Sequence, residues 1–121
     1  MRRYVTSMSR SIFDEHGKGM LEGLIRYWPQ AEILCYSEDQ LPDVPGVTHK
    51  SLWEIPGAEF FIRCTERFPA MCGIIDNTRH YTRDAHTFSK KVFAQIAAAC
   101  DYPGYLFWID ADVETFDHVP G

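Results

Sequence analysis

Apolar residues recur along this chain in two alternating rhythms, one of strands and one of helices. Residues 3–8 (RYVTSM) hold Tyr4 and Val5 in a short β-prone run that ends in Thr6, Ser7 and Ser9, which predicts a strand. Met20, Leu21, Leu24 and Trp28 then repeat at helical spacing, predicting a helix over 15–28 that Pro29 stops. Gly17, Gly19 and Gly23 each weaken that helix by about 1 kcal/mol if interior. A second strand is predicted at 32–37 (EILCYS), closed by Glu38 and Asp39. The stretch 40–57 carries Pro42, Pro45, Gly46, Pro56 and Gly57 and reads mostly as loop, with a brief strand near 51–53. A helix over 57–68 sets Ala58, Phe61, Ile62, Thr65 and Phe68 on one face, and Pro69 ends it. A polar segment fills 76–86. Over 85–101 the helical pattern is strongest: Phe88, Val92, Ile96 and Cys100 form the expected buried side, with Lys90 and Lys91 away from it. Tyr102-Pro103-Gly104 turns the chain into 105–109 (YLFWI), a continuous apolar run expected to be a strand buried on both faces.

This order of elements predicts an α/β fold: a Rossmann-like open, mainly parallel sheet with helices on both faces. A length of 121 residues makes it a single domain. In such sheets ligands sit beyond the carboxyl ends of the strands. Three strand ends are polar here: Thr6-Ser7, Ser37-Glu38-Asp39 and Asp110-Ala111-Asp112. They are expected to converge on one crevice.

Composition narrows the partners. Twelve Lys and Arg stand against 17 Asp and Glu, for a net charge of −5, with no basic run longer than two. A groove for a nucleic-acid backbone needs clustered basic residues, so nucleic acid is excluded as a partner. No segment approaches the roughly 20 apolar residues of a membrane span, and no apolar run follows Arg2 and Arg3 as a signal peptide requires. Cys35, Cys64, Cys72 and Cys100 form no C-x-x-C pair and read as reduced thiols, which places the expected location in the cytoplasm.

Asp110 and Asp112 are the sharpest chemical feature. Two carboxylates one residue apart, directly behind a fully apolar run, need neutralising. A hard divalent cation, Mg²⁺ or Mn²⁺, does this and bridges the phosphates of a nucleotide diphosphate. The plainer reading is a solvated strand exit. Gly17-Lys18-Gly19 matches neither the P-loop nor the dinucleotide pattern and reads as close packing or a loose helix start. His80 and His86 have no partner identifiable from spacing and read as ordinary loop histidines.

The stretch 83–120, with Arg83-Asp84, the Phe-Ser-Lys-Lys-Val-Phe-Ala helix, the apolar run, Ile-Asp-Ala-Asp and a Val-Pro exit, resembles nucleotide-sugar-dependent glycosyltransferases of the GT-A fold. Tyr4-Val5-Thr6-Ser7 is similar to that family's first strand, and Tyr36-Ser37-Glu38-Asp39 to its second. The resemblance implies a partial GT-A fold and a nucleotide-diphosphate sugar as ligand. It implies that Asp110 and Asp112 hold Mn²⁺ or Mg²⁺, that Thr6 and Ser7 meet base and ribose, and that Glu38 and Asp39 hydrogen-bond the base or ribose. It also implies that Lys91 and Arg83, with the adjoining Asp84, lie near the donor. Plainer roles stand beside these: strand ends for Thr6 and Ser7, a loop start for Glu38 and Asp39, a surface pair or helix cap for Arg83 and Asp84, and a solvated helix position for Lys91.

Family members continue past the D-x-D with an acceptor-binding half, whereas this chain ends nine residues after Asp112. The expectation is a donor-binding half of a longer enzyme, a truncated product or a part completed by another chain, with little or no transferase activity alone, because transfer needs both substrates held together. The acceptor is unknown. An uncovered last strand and crevice wall further predict homo-oligomerisation or marginal stability. Two alternatives remain: a non-catalytic nucleotide-binding module, and an unrelated small flavodoxin-like or receiver-like protein that binds Mg²⁺ alone.

Overall fold

The computed structural model describes residues 2–113. Their centre is a four-stranded, all-parallel sheet in the order β3 (Val47–Ser51), β2 (Glu32–Ser37), β1 (Arg3–Ser7) and β6 (Leu106–Trp108). Strand β1 (Arg3–Ser7) pairs with β2 (Glu32–Ser37) on one side and with β6 (Leu106–Trp108) on the other. Side chains alternate across this sheet, as a strand requires. Tyr4, Ile33 and Cys35 face one layer of helix, while Val5, Leu34 and Tyr36 face the other. Helices therefore cover both faces, and the fold is the expected open α/β sheet. Among the described residues no helix is long and apolar enough to cross a membrane.

The first layer is built by a helical run longer than the periodicity predicts. It starts as α1 (Arg10–Ile12), passes through a π-helical turn at Phe13–Gly17 and continues as α2 (Lys18–Tyr27). Met20, Leu21 and Leu24 are buried as expected, with Trp28 packed beside them. The early start has a capping cause: the Ser9 hydroxyl accepts from the Ile12 N–H and the Asp39 carboxylate accepts from the Arg10 N–H. Gly17 is a packing glycine, since a Cβ there would meet the Met8 sulfur at 2.1 Å.

The second layer is α3 (Ala58–Glu66) and α4 (Ala85–Asp101). Here the expected buried faces are corrected. On α4 the buried residues are Ser89, Ala94 and Ala98, while Phe88, Val92, Ile96 and Cys100 are exposed. Small side chains let α4 lie close over the sheet; Phe88, Val92 and Ile96 are turned outward, while Phe93 packs half-buried against the core. On α3, Ala58, Ile62 and Thr65 are buried but Phe61 is exposed, and the helix ends at Glu66, leaving Phe68 exposed beyond it. Phe61 packs edge-on against Phe93 of α4, and the Thr65 hydroxyl meets His86 Nδ1 at 2.9 Å. His86 is thus a link between helices.

Three further segments differ from expectation. Residues 47–51 form β3 (Val47–Ser51), an edge strand parallel to β2, and 52–54 a 3₁₀ turn. Its sequence, VTHKS, has no apolar run, because an edge strand has less to bury. The polar segment is an antiparallel hairpin of β4 (Cys72–Ile75) and β5 (Thr78–Asp84), turned by Asp76 and Asn77, both at positive φ. All of β5 except Asp84 is exposed, so no buried period marks it. Finally, β6 is not buried on both faces. Among the described strands it is an edge, with Phe107 about half exposed.

Candidate functional site

The strand order fixes where a cleft can form. From β1 the chain steps outward through β2 to β3, then returns to place β6 on the opposite side of β1. The connections above β1 and β6 therefore diverge, and a crevice opens at the carboxyl ends of those strands. A cleft of about 430 Å³ lies there. Ser7, Met8 and Ser9 from the end of β1 form one wall, and Asp110, Ala111 and Asp112 from the end of β6 form another. Thr87, Lys90 and Lys91 enter from α4, Glu38 from the end of β2, and Ile12 and His16 from the first helical run.

Asp110 is held on one oxygen. Trp108 Nε1 donates to its Oδ1 at 2.8 Å and Lys91 Nζ donates to the same oxygen at 3.1 Å. The Trp108 hydrogen bond, then the Lys91 hydrogen bond and charge, hold the carboxyl below the ordinary carboxylate range against the opposing effect of partial burial. The Val113 N–H donates to the Asp110 carbonyl at 3.1 Å, closing a turn that brings Asp112 round to the same cleft. Asp112 is exposed. Glu38 is paired differently: Lys90 Nζ donates to its Oε1 at 2.9 Å in a mostly buried contact, and its carbonyl accepts from Trp53 Nε1 at 2.7 Å.

The structure gathers Ser7, Glu38, Lys91, Asp110 and Asp112 at this cleft, and leaves four sequence candidates outside it. Thr6 is buried within the sheet, its hydroxyl without a hydrogen-bond partner. Asp39 lines a neighbouring cavity of about 580 Å³ with His49, Lys50 and Trp53, and its carboxylate caps the first helix. Arg83 is exposed on β5. Asp84 caps α4: it accepts from the Thr87 N–H at 2.9 Å, the Thr87 hydroxyl at 2.8 Å and Arg79 Nη2 at 3.2 Å. Burial alone would raise the Asp84 carboxyl, but these bonds and the Arg79 charge together hold it below the ordinary range. Of the three readings for Arg83 and Asp84 (donor contact, surface pair or helix cap), Asp84 takes the cap.

Sequence reasoning missed His16, Lys90 and Thr87 as cleft residues. Lys90 and Thr87 were legible only once α4 was turned to its true face. His16 stands four residues beyond Ile12, on the same side of the first helical run, a signal hidden by the expected helix start at 15. Of the cysteines, all are free thiols, and burial pushes Cys35 up to about 12, leaving it unreactive. Among the described residues, no three His, Cys, Asp or Glu side chains are grouped to hold a metal ion.

No protein-family model, no curated protein and no solved structure matches this chain.

Proposed function

We propose that the chain is the donor-binding part of a metal-dependent glycosyltransferase, and that its cleft takes a nucleotide-diphosphate sugar together with Mn²⁺ or Mg²⁺. The observation that carries this reading is the meeting of Asp110 and Asp112 with Lys91 and Ser7 at the point where the strand order reverses. The donor set fits a hard cation: Asp110 keeps Oδ2 free of the two donors on Oδ1, and Asp112 adds a second exposed carboxylate. Two carboxylates are a small set, and they suit an ion such as Mg²⁺ that completes its shell with water and substrate phosphates. When bound, such a cation supplies charge neutralisation for the leaving diphosphate.

The chain's own residues divide the remaining work. Asp110 and Asp112 fix one edge of the diphosphate site. Lys91, a flexible point charge on α4, reaches phosphate oxygens from the other side. Ser7 and Ser9, at the end of β1, present hydroxyls to the polar part of the nucleotide. Glu38 stands between the cleft and the neighbouring cavity, lining both, so a ligand longer than the cleft extends past it.

Calorimetry with UDP and GDP, with and without Mn²⁺, tests the reading. Binding of one of them that appears only with the metal is the expected result. Equal binding without metal, or none at millimolar concentration, removes it. Release of sugar from a bound sugar nucleotide then separates an enzyme from a non-catalytic module.

A further inference from the structure

The net negative charge hides a local reversal. Residues 60–83 carry four arginines (Arg63, Arg67, Arg79 and Arg83) against two acids (Glu66 and Asp76), while the rest of the chain sets eight Lys and Arg against 15 Asp and Glu. On α3, Phe60, Arg63 and Arg67 follow at helical spacing on the face opposite the buried Ala58, Ile62 and Thr65. Beyond α3 a 3₁₀ turn at Pro69–Met71 packs on β4 and leads into the hairpin. Large apolar side chains stand out from this stretch: Phe60 is 78% exposed, Tyr81 72% and Phe68 60%. Ile74 is also exposed, opposite Arg79 in the hairpin register. Arg63 is held by Glu59 at 3.1 Å and lies over the Trp53 ring, and Arg79 is held by Asp84 at 3.2 Å and lies over the Tyr81 ring. Arg67 and Arg83 are exposed, and their side chains have no partner among the described residues.

We infer that the outward face of α3 and the hairpin form a docking surface for an anionic lipid membrane, on which the chain sits as a peripheral protein. Guanidinium forks match the phosphate and carboxylate oxygens of acidic headgroups. Aromatic side chains favour the boundary between headgroups and acyl chains. The remainder of the chain is strongly acidic and is repelled by the same surface, so the reversal of charge also sets the orientation. An acidic protein would meet the same arginines, but protein anchors are received in pockets or grooves. The cleft, the neighbouring cavity and two open hollows beside α2 are lined by none of residues 60–83. Apolar side chains that stand free of any of these hollows suit a fluid surface, which moulds around them. The hairpin ends at Asp84, which caps α4 at Thr87, and Thr87 lines the cleft. The docking face and the cleft therefore meet at the same end of α4.

The test is co-sedimentation with vesicles of phosphatidylcholine alone and of phosphatidylcholine mixed with phosphatidylserine. The wild-type chain is compared with Arg67→Glu/Arg83→Glu, with Phe68→Ser/Tyr81→Ser, and with Arg26→Glu, the same change of charge at an exposed site on α2. The wild type binds the serine-containing vesicles, does not bind the neutral ones, and is released by salt. Arg67→Glu/Arg83→Glu weakens binding by about tenfold or more, and Phe68→Ser/Tyr81→Ser by about fivefold. Arg26→Glu binds as the wild type does. Melting temperatures close to the wild type, expected at exposed positions, show that the fold is intact. Absence of binding to the serine-containing vesicles, or a loss from Arg26→Glu equal to that from the arginine pair, overturns the assignment. Retention on immobilised poly-glutamate without vesicle binding gives the face to an acidic polypeptide and overturns it too. None of these readouts depends on nucleotide binding, so the proposed function stands or falls separately.

Discussion

Two pairs of acidic residues leave the sheet at its carboxyl ends, and the fold uses them differently. After β2, Glu38 is held by Lys90 and Asp39 by the backbone N–H of Arg10. After β6, Asp110 is held on one oxygen only, and Asp112 faces the cleft from an exposed turn. A charge taken out of water needs a partner, and the two pairs differ in how far the fold supplies one. The first pair finds its partners within the fold and so ties the second strand end to the helices on both faces. The second pair keeps coordination capacity at the crevice between β1 and β6. An acidic strand end is thus a candidate site only where the fold has not already consumed its oxygens.

Substitutions that move one pair and not the other sharpen this contrast. The largest effect is expected from Asp112→Ala: metal-dependent nucleotide binding falls by more than about a hundredfold in calorimetry, while stability stays within about 0.5 kcal/mol because the side chain is exposed. A drop in melting temperature matching that of a cap mutant would make Asp112 structural and erase the distinction. Asp84→Ala comes next. It removes a buried helix cap with three donors, and denaturant unfolding should show a loss of about 2 kcal/mol. Asp39→Ala removes one capping bond at Arg10 and should lose about 1 kcal/mol, with Mn²⁺ affinity unchanged.

Asp84 also predicts a pH dependence. Its carboxyl is held below the ordinary range in the folded chain, so the unfolded chain binds the proton more readily. The cap therefore contributes fully above the unfolded value near pH 4, and its contribution is lost as the pH falls through the lower folded value. Asp84→Asn should flatten the stability profile in that acid window and change its shape little at neutral pH. The smallest effect is expected on the outward face of α4. Ile96→Lys should change stability by no more than about 0.5 kcal/mol, because Ile96 is 55% exposed. Ala94→Leu, on the same helix, meets the sheet at a fully buried position and should cost about 1–3 kcal/mol.

The last two substitutions mark where the amino-acid pattern misleads. Strands β1 and β2 and helix α2 were legible because large apolar residues at one period are buried at that same period. On α4 Phe88, Val92 and Ile96 follow a helical stripe that points outward, and the fully buried contact with the sheet is made by Ala94 and Ala98, with Phe93 packed beside them; alanine's small size carries little hydropathy signal. The hairpin was hidden because Thr78–Arg83 is exposed throughout, leaving the Asp76-Asn77 turn as its only local mark. At the cleft, Asp110 and Asp112 were legible from their place at a strand end, whereas Lys91 was named there only through the family resemblance. Asp39 and Asp84 carry the same residue type at equally suggestive places, and only the hydrogen bonds of the folded chain show that caps have used them.

The most direct measurement is a crystal soaked with Mn²⁺ and a sugar nucleotide, read at a wavelength where manganese scatters anomalously. An anomalous peak within coordination distance of both Asp110 and Asp112, with diphosphate density beside it and Lys91 turned toward that density, is the predicted result. A cleft without manganese, in which Lys91 still holds Asp110 and Asp112 faces bulk water, contradicts the account.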